Sequence, residues 1–406
     1  MCEDRLVTFC DSLPFGRALA VTATLAVLTA GCASTPSESQ DKPGGRSFTV
    51  AATGDVLIHP ELVEQAAEDA KRTGKGEAGL DFGPLMAGVK PVIGKADLAV
   101  CHMETPVGTP KGPFEGYPEF LVPPQILTTL KDVGYDTCST ASNHAYDHGS
   151  KGIRRTLDAM DRVGLGHTGS ARTPEEAEKP RILDVRGVKV AHLSYSWESF
   201  RNPTPRKQDW AFNRLDLGAI KKAEDRARQQ GAEVVILSVH WGAELRNEPS
   251  ASQIELAGRI TEETGIDLVI GHHAHVVQPI QKLNGTWVAF GLGNQVARHS
   301  SPSGLTEEGA IGWFEFRETA SGWNVSARYR TTLMEIPPET APGEKLPAGA
   351  VEDHRLVDVR QVLEEPGALA PDRLARYRLA AERTRGFLFN RGAPGGDGLA
   401  ELSLKD

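Results

Sequence analysis

Five short stretches deliver side chains that bind metals or move protons, and each follows a β-branched, strand-like run. They are residues 54–59 (GDVLIH), 102–106 (HMETP), 142–147 (SNHAYD), 240–244 (HWGAE) and 271–275 (GHHAH). The carboxylates of Asp55 and Glu104, the carboxamide of Asn143 and the imidazoles of His240, His273 and His275 make an oxygen and nitrogen ligand set with no thiolate. Such a set suits one or two divalent transition ions, Mn, Fe or Zn. Two ions about 3.5–4 Å apart acidify a water and clamp both oxygens of a hydrolytic displacement. His59 and His272 stand beside these as possible additional ligands.

Residues so far apart meet only if the fold gathers them. In an open α/β sheet the carboxyl ends of parallel strands converge on one crevice. Strand-like runs at 48–53, 97–101, 135–140, 188–195, 233–239, 267–270 and 287–292 alternate with helix-like runs at 60–72, 124–133, 149–163, 217–230 and 252–264. This alternation predicts parallel βαβ units in an α/β protein; two sheets packed face to face and flanked by helices also fit. The run 233–239 (EVVILSV) is nearly all apolar, as a strand covered on both faces requires. After Asn294 the pattern changes. Residues 309–318 and 323–333 read as an antiparallel hairpin, 337–349 as a Pro/Gly-rich loop, 371–385 as an amphipathic helix and 392–398 as a disordered segment.

The 406 residues, 39% hydrophobic and 24% charged, describe an ordinary soluble protein, and the net charge of −9 offers no general attraction to nucleic acid. The amino end differs. Arg17 precedes an apolar run over 18–30 that ends in Gly31-Cys32, too short to span a bilayer and the size of a signal-peptide core. It resembles a bacterial lipoprotein signal over residues 1–32 with Cys32 as the lipidated residue; a buried hydrophobic helix is the alternative. Residues 33–46 are polar and Pro/Gly/Ser-rich, a flexible tether. The chain is therefore expected at the extracytoplasmic face of the bacterial cell membrane, held through a lipid anchor. Cys2 and Cys10 would be lost with the signal. Cys101 and Cys138 lie in neighbouring strand candidates, and their spacing leaves open whether they pair or remain buried thiols.

Six motifs occur in a set order: GDVLIH at Gly54, METP at Met103, SNHAYDHG at Ser142, HWGAE at His240, GHHAHVVQP at Gly271 and GLGN at Gly291. With them the chain resembles the bacterial CapA family of poly-γ-glutamate capsule synthesis, which is related to the calcineurin-like metallophosphoesterases. The resemblance implies metallophosphoesterase-like layered sheets flanked by helices over 47–300, with a small C-terminal extension over 301–406. It makes His144 a proton donor to the leaving group rather than a ligand. Asp147, three residues on, would hold that ring in the needed tautomer. It also implies an anionic cell-surface polymer, or the machinery that makes it, as partner. The reaction would be hydrolysis of a phosphoester or of a γ-glutamyl amide. Two other functions fit the same fold: a non-catalytic polymer-binding or assembly factor, and a phosphodiesterase or nucleotidase.

The chain departs from the metallophosphoesterase pattern in places. The first motif there is usually Asp-x-His, whereas Val56-Leu57 follow Asp55, and Glu104 stands where an aspartate is usual. Plainer roles also exist. Asp55 or Asn143 could cap a helix, and Glu104 could be an exposed turn residue.

Overall fold

The computed structural model describes residues 45–197, 206–299, 301–340, 345–391 and 398–403. The proposed signal, Cys32, most of the tether and nearly all of the segment 392–398 lie outside the described residues. The described residues belong to one compact unit. None of their helices is long and apolar enough to cross a membrane.

Two sheets pack face to face. In the first, β1 (Ser47–Leu57) runs parallel to β2 (Leu98–Met103), which is followed outward by β3 (Thr137–Ser139) and β4 (Gly166–Thr168). The second starts with β5 (Arg181–Val185), antiparallel to β6 (Val188–Ser196). From β6 the parallel strands β7 (Val234–His240) and β8 (Leu268–His272) follow. It closes with the hairpin of β9 (Ile280–Leu283) and β10 (Thr286–Ala289). The chain then returns to the first sheet. There β11 (Asn294–Ala297) lies parallel to the end of β1, while β12 (Glu308–Thr319) pairs with β1 antiparallel. Next come β13 (Gly322–Glu335), β14 (Arg355–Asp358) and the two-residue β15 (Ala400–Glu401).

Alternation along the strands builds the layers. Phe48, Val50 and Ala52 of β1 point into the core between the sheets, where they meet Val190, Ile236 and Ile270 of the second sheet. Ala51 points the other way, into a separate core with Leu62, Leu127, Leu130 and Leu157 from the helices Pro60–Thr73, Gln125–Val133 and Gly149–Val163. The outer face of the second sheet is covered by the helices Leu217–Gln229 and Ala251–Glu263, through Ile220 and Ile260. The result is two sheets between two helical layers. Helix ends obey local chemistry: Pro60 opens its helix at the first turn, and Ser250 with Gln253 forms a reciprocal capping box.

The change of pattern after Asn294 marks a switch from parallel to antiparallel order within one sheet. Phe48 of β1 stands opposite Phe316 of β12, with the rings stacked at 4.8 Å. The helix Pro371–Leu388 is held to this hairpin by buried Glu308, whose carboxylate accepts from Arg376 Nη1 at 2.6 Å and from Arg383. Further out, Arg330 of β13 and Asp358 of β14 form an ion pair at 2.9 Å, with side chains 2% and 0% exposed.

Candidate metal centre

The carboxyl ends of β1, β2, β7 and β8 meet at one rim. Asp55 lies near the end of β1 and is 1% exposed. Its place depends on Gly54: a Cβ there would lie 1.8 Å from the Gly293 carbonyl oxygen, so only glycine lets the backbones come this close. The Asp55 N–H donates to that carbonyl at 3.0 Å, and Asp55 pairs in register with Asn294 on one side and His102 on the other. Glu104 follows β2 directly, His240 ends β7, and His272 ends β8. Neither Asp55 nor Asn143 caps a helix. The caps fall at His59 and His148.

His273 and His275 follow in a loop where both take left-handed backbone angles, φ 93° and 55°. For residues with a Cβ such conformations cost about 1–3 kcal/mol each and persist only where the surroundings enforce them. Here the His273 N–H donates to Asp55 Oδ2 at 3.2 Å, and His275 Nδ1 lies 3.3 Å from that oxygen and 2.9 Å from Asn294 Oδ1.

The donors fall into two groups, Asp55 with His102 and His240, and Glu104 with His273 and His275. His102 Nε2 lies 3.0 Å from His240 Nδ1 and 4.0 Å from Asp55 Oδ1. His275 Nε2 lies 3.8 Å from Glu104 Oε1. Asn143 Oδ1 is 3.1 Å from His240 Nε2, so it sits beside the first group. His272 stacks on His102 with ring centroids 4.2 Å apart, and its Nδ1 stands 3.5 Å from Asp55 Oδ1. His59 stands apart from both groups, its Nδ1 engaged with the Leu57 carbonyl at 3.0 Å.

Several of these atoms are buried without a hydrogen-bond partner: both oxygens of Glu104, both ring nitrogens of His272 and Nδ1 of His273. Each buried polar atom left so costs about 1–3 kcal/mol. A cation within the second group would satisfy a Glu104 oxygen and a His273 nitrogen together, so the donor set fits a divalent ion.

The charges respond to this crowding. Burial pushes the Asp55 carboxyl up, but the imidazoles of His272, His275 and His102 prevail and hold it well below the usual carboxylate range. Burial drives Glu104 the other way, to about 7, against the pull of His275. Burial and neighbouring imidazoles push His102 and His240 well below 6.5, so both stay neutral, the form that binds metal.

Beside the two groups, Asp147 Oδ2 accepts the Nδ1–H of His144 at 2.7 Å and the backbone N–H of Phe120 at 2.8 Å. With Nδ1–H committed to the carboxylate, Nε2 is the position left to give or take a proton. Burial works to lower the His144 pKa, but Asp147 and the charge of Glu104 outweigh it and raise it above 6.5. Phe120 stands edge-on to this ring at 4.9 Å and walls that side from water.

Reasoning from the sequence gave no role to two residues here, although His102 opens the stretch 102–106. His102 lies inside a strand whose six residues are all buried, and a histidine there reads as packing. Asn294 belongs to the GLGN motif but gains a role only once β11 sets it against His275. The two cysteines prove to be bonded, Cys101 to Cys138, across the paired positions of β2 and β3.

The family model described as bacterial capsule synthesis protein PGA_cap matches residues 49–299. The chain is 27% identical over 251 residues to the PGA biosynthesis protein CapA of Bacillus subtilis, covering 61% of this chain and 64% of that protein. It is 28% identical over 176 residues to the capsule biosynthesis protein CapA of Bacillus anthracis, 42% of each. The match therefore spans less than two thirds of these relatives' own length. Among solved structures, a phosphatase from Mycoplasma pneumoniae superposes with a TM-score of 0.41 at 11% identity, over 71% of this chain and 94% of that one. The calcineurin-like phosphoesterase YfkN of Bacillus subtilis gives 0.35 at 13% identity, over 84% and 99%.

Proposed function

The chain belongs to the bacterial capsule synthesis protein family PGA_cap, and on that premise we propose that it is a metal-dependent hydrolase acting on an anionic cell-surface polymer of the poly-γ-glutamate type. It works at the outer face of the bacterial cell membrane, anchored through a lipid on Cys32. One observation carries the reading: two donor groups at a single rim, the second built on Glu104, whose oxygens are buried without a hydrogen-bond partner. The disulfide between Cys101 and Cys138 supports the location, since such bonds persist in oxidising compartments.

Asp55, His240, Glu104, His273 and His275 would hold one or two divalent ions. When bound, the ions supply the charge that makes a water nucleophilic and steadies the oxyanion of a cleaved ester or amide. The chain's own residues do the rest. His144, held by Asp147, gives its Nε2 proton to the departing amine or alkoxide. Asn294 fixes the His275 tautomer, leaving its Nε2 free toward Glu104.

The test is to give the purified protein poly-γ-glutamate and, separately, a simple phosphodiester, with and without Mn²⁺. Shortening of the polymer is expected, lost in His144→Ala while metal content is unchanged. Turnover of the phosphodiester alone would replace the polymer with a nucleotide-type substrate. Polymer binding without cleavage, indifferent to His144→Ala, would mark a binding or assembly factor instead.

A further inference from the structure

We propose that three consecutive side chains at the rim, Glu244, Leu245 and Arg246, read the free amino end of the polymer. Glu244 takes its ammonium, Arg246 the carboxylate on the same carbon, and Leu245 the methylenes that lead to the γ-amide. This rests on the hydrolase reading above and deepens it, naming where on the chain the cut falls.

The segment after β7 is stitched to the loop that carries His273 and His275. The Trp241 N–H donates to the His272 carbonyl at 3.3 Å, and the Leu245 N–H to the Ala274 carbonyl at 2.8 Å. Asn247 Nδ2 donates to the Val277 carbonyl, and buried Gln278 returns a bond from Nε2 to the Arg246 carbonyl, both at 2.8 Å. On this fixed backbone Leu245 is anomalous, 50% exposed and at φ 60°. A bulky residue rarely takes that conformation, which costs about 1–3 kcal/mol, whereas glycine takes it freely. Half in water, the side chain recovers little of that by burial, which points to contact with a bound group.

Glu244 is exposed as well, yet its charge reaches the centre. Burial and the charge of His275 lower His273 to about 4 and hold His299 below 6.5, and Glu244 is first among the carboxylates acting against both. Burial raises Glu104 to about 7, and Glu244 adds to that. An anionic polymer is repelled by such a carboxylate along its middle, where each unit offers a carboxylate and no cation. At the amino end the unit also carries an ammonium. The two charges of that end then meet Glu244 and exposed Arg246, each with its opposite. Water adds to the γ-carbonyl carbon, the amide C–N bond breaks, and the leaving nitrogen takes the His144 proton, which a proton of that water replaces. Free glutamate departs, and the chain is one unit shorter.

The test uses the purified protein with Mn²⁺ and short γ-glutamyl oligomers, unblocked or N-acetylated, with free glutamate and chain length as readouts. The wild type is expected to release free glutamate from the unblocked oligomer, with KM about tenfold higher for the acetylated one. Glu244→Gln should raise KM for the unblocked oligomer about tenfold, leave kcat within about threefold and shrink the preference over the acetylated one. Its metal content should equal the wild type's. Arg246→Ala should raise KM for both oligomers alike. Leu245→Gly should raise KM about threefold, while its unfolding midpoint does not fall. Equal use of both oligomers by the wild type, cuts within the chain, or an unmoved KM in Glu244→Gln overturns the end-reading assignment and leaves the hydrolase reading standing. Metal lost in Glu244→Gln also overturns it, by making that residue a ligand. A wild type that cleaves neither oligomer overturns the hydrolase reading itself.

Discussion

His144 and Asp147 turn a hydrogen bond into a pH profile. The His144 pKa is raised above 6.5, with Asp147 first among the groups that raise it. A raised imidazole is protonated below its pKa and loses the proton as pH climbs through it. Turnover that needs this acid should therefore fall on the alkaline side. Asp147→Asn takes the carboxylate away and should move that falling limb to lower pH, read from kcat against pH; an unmoved limb would separate His144 from the chemistry. The candidate ligands were legible because Asp55, Glu104, Asn143, His240, His273 and His275 each stand at the end of a strand-like run. His102 also follows its strand-like run, but its role was not legible, because its partners Asp55, Ser139 and His240 come from three other strands. Its neighbourhood is a product of register, which a single sequence does not print.

Among the elements, β1 shows how tertiary contact overrides a local signal. Gly54 reads as a strand end, yet β1 continues to Leu57, because the gap a side chain would fill is taken by Gly293. The main strands and helices were legible from apolar period and caps, whereas β14 and β15, four and two residues long, carry too little pattern to be seen. The pairing of Cys101 with Cys138 was also beyond spacing, since it needs β2 and β3 in register. That bond precedes His102 and Ser139 by one residue on each strand, so it clamps the pair that orients a ring of the metal centre. It closes a loop of sequence separation 37. Replacing both cysteines by serine should lower stability by about 4 kcal/mol on chain-entropy grounds and weaken metal binding. Denaturant unfolding and metal titration measure the two; an unchanged midpoint would count against the clamp.

For the molecule as a whole, the ion pair of Arg330 and Asp358 ties β14 to the sheet. Asp358→Asn leaves the guanidinium buried without its charge partner and should cost about 3–5 kcal/mol in thermal or chemical unfolding; a loss under about 1 kcal/mol would mean the pair behaves like an exposed one. Anchoring is checked separately. Cys32→Ala should release the protein from membranes into the soluble extracytoplasmic fraction, and undiminished sedimentation with membranes would remove the lipid anchor. The pairing of β1 with β12 bears on how the protein is made. The strand that carries Asp55 comes early from the ribosome, and the strand that covers its flank comes among the last. Until that late hairpin arrives, β1 presents an open edge of backbone donors and acceptors, a hazard that closes only with long-range pairing. Nascent chains therefore gain no complete rim in instalments: its first residues wait, unshielded, on the last third of the polypeptide.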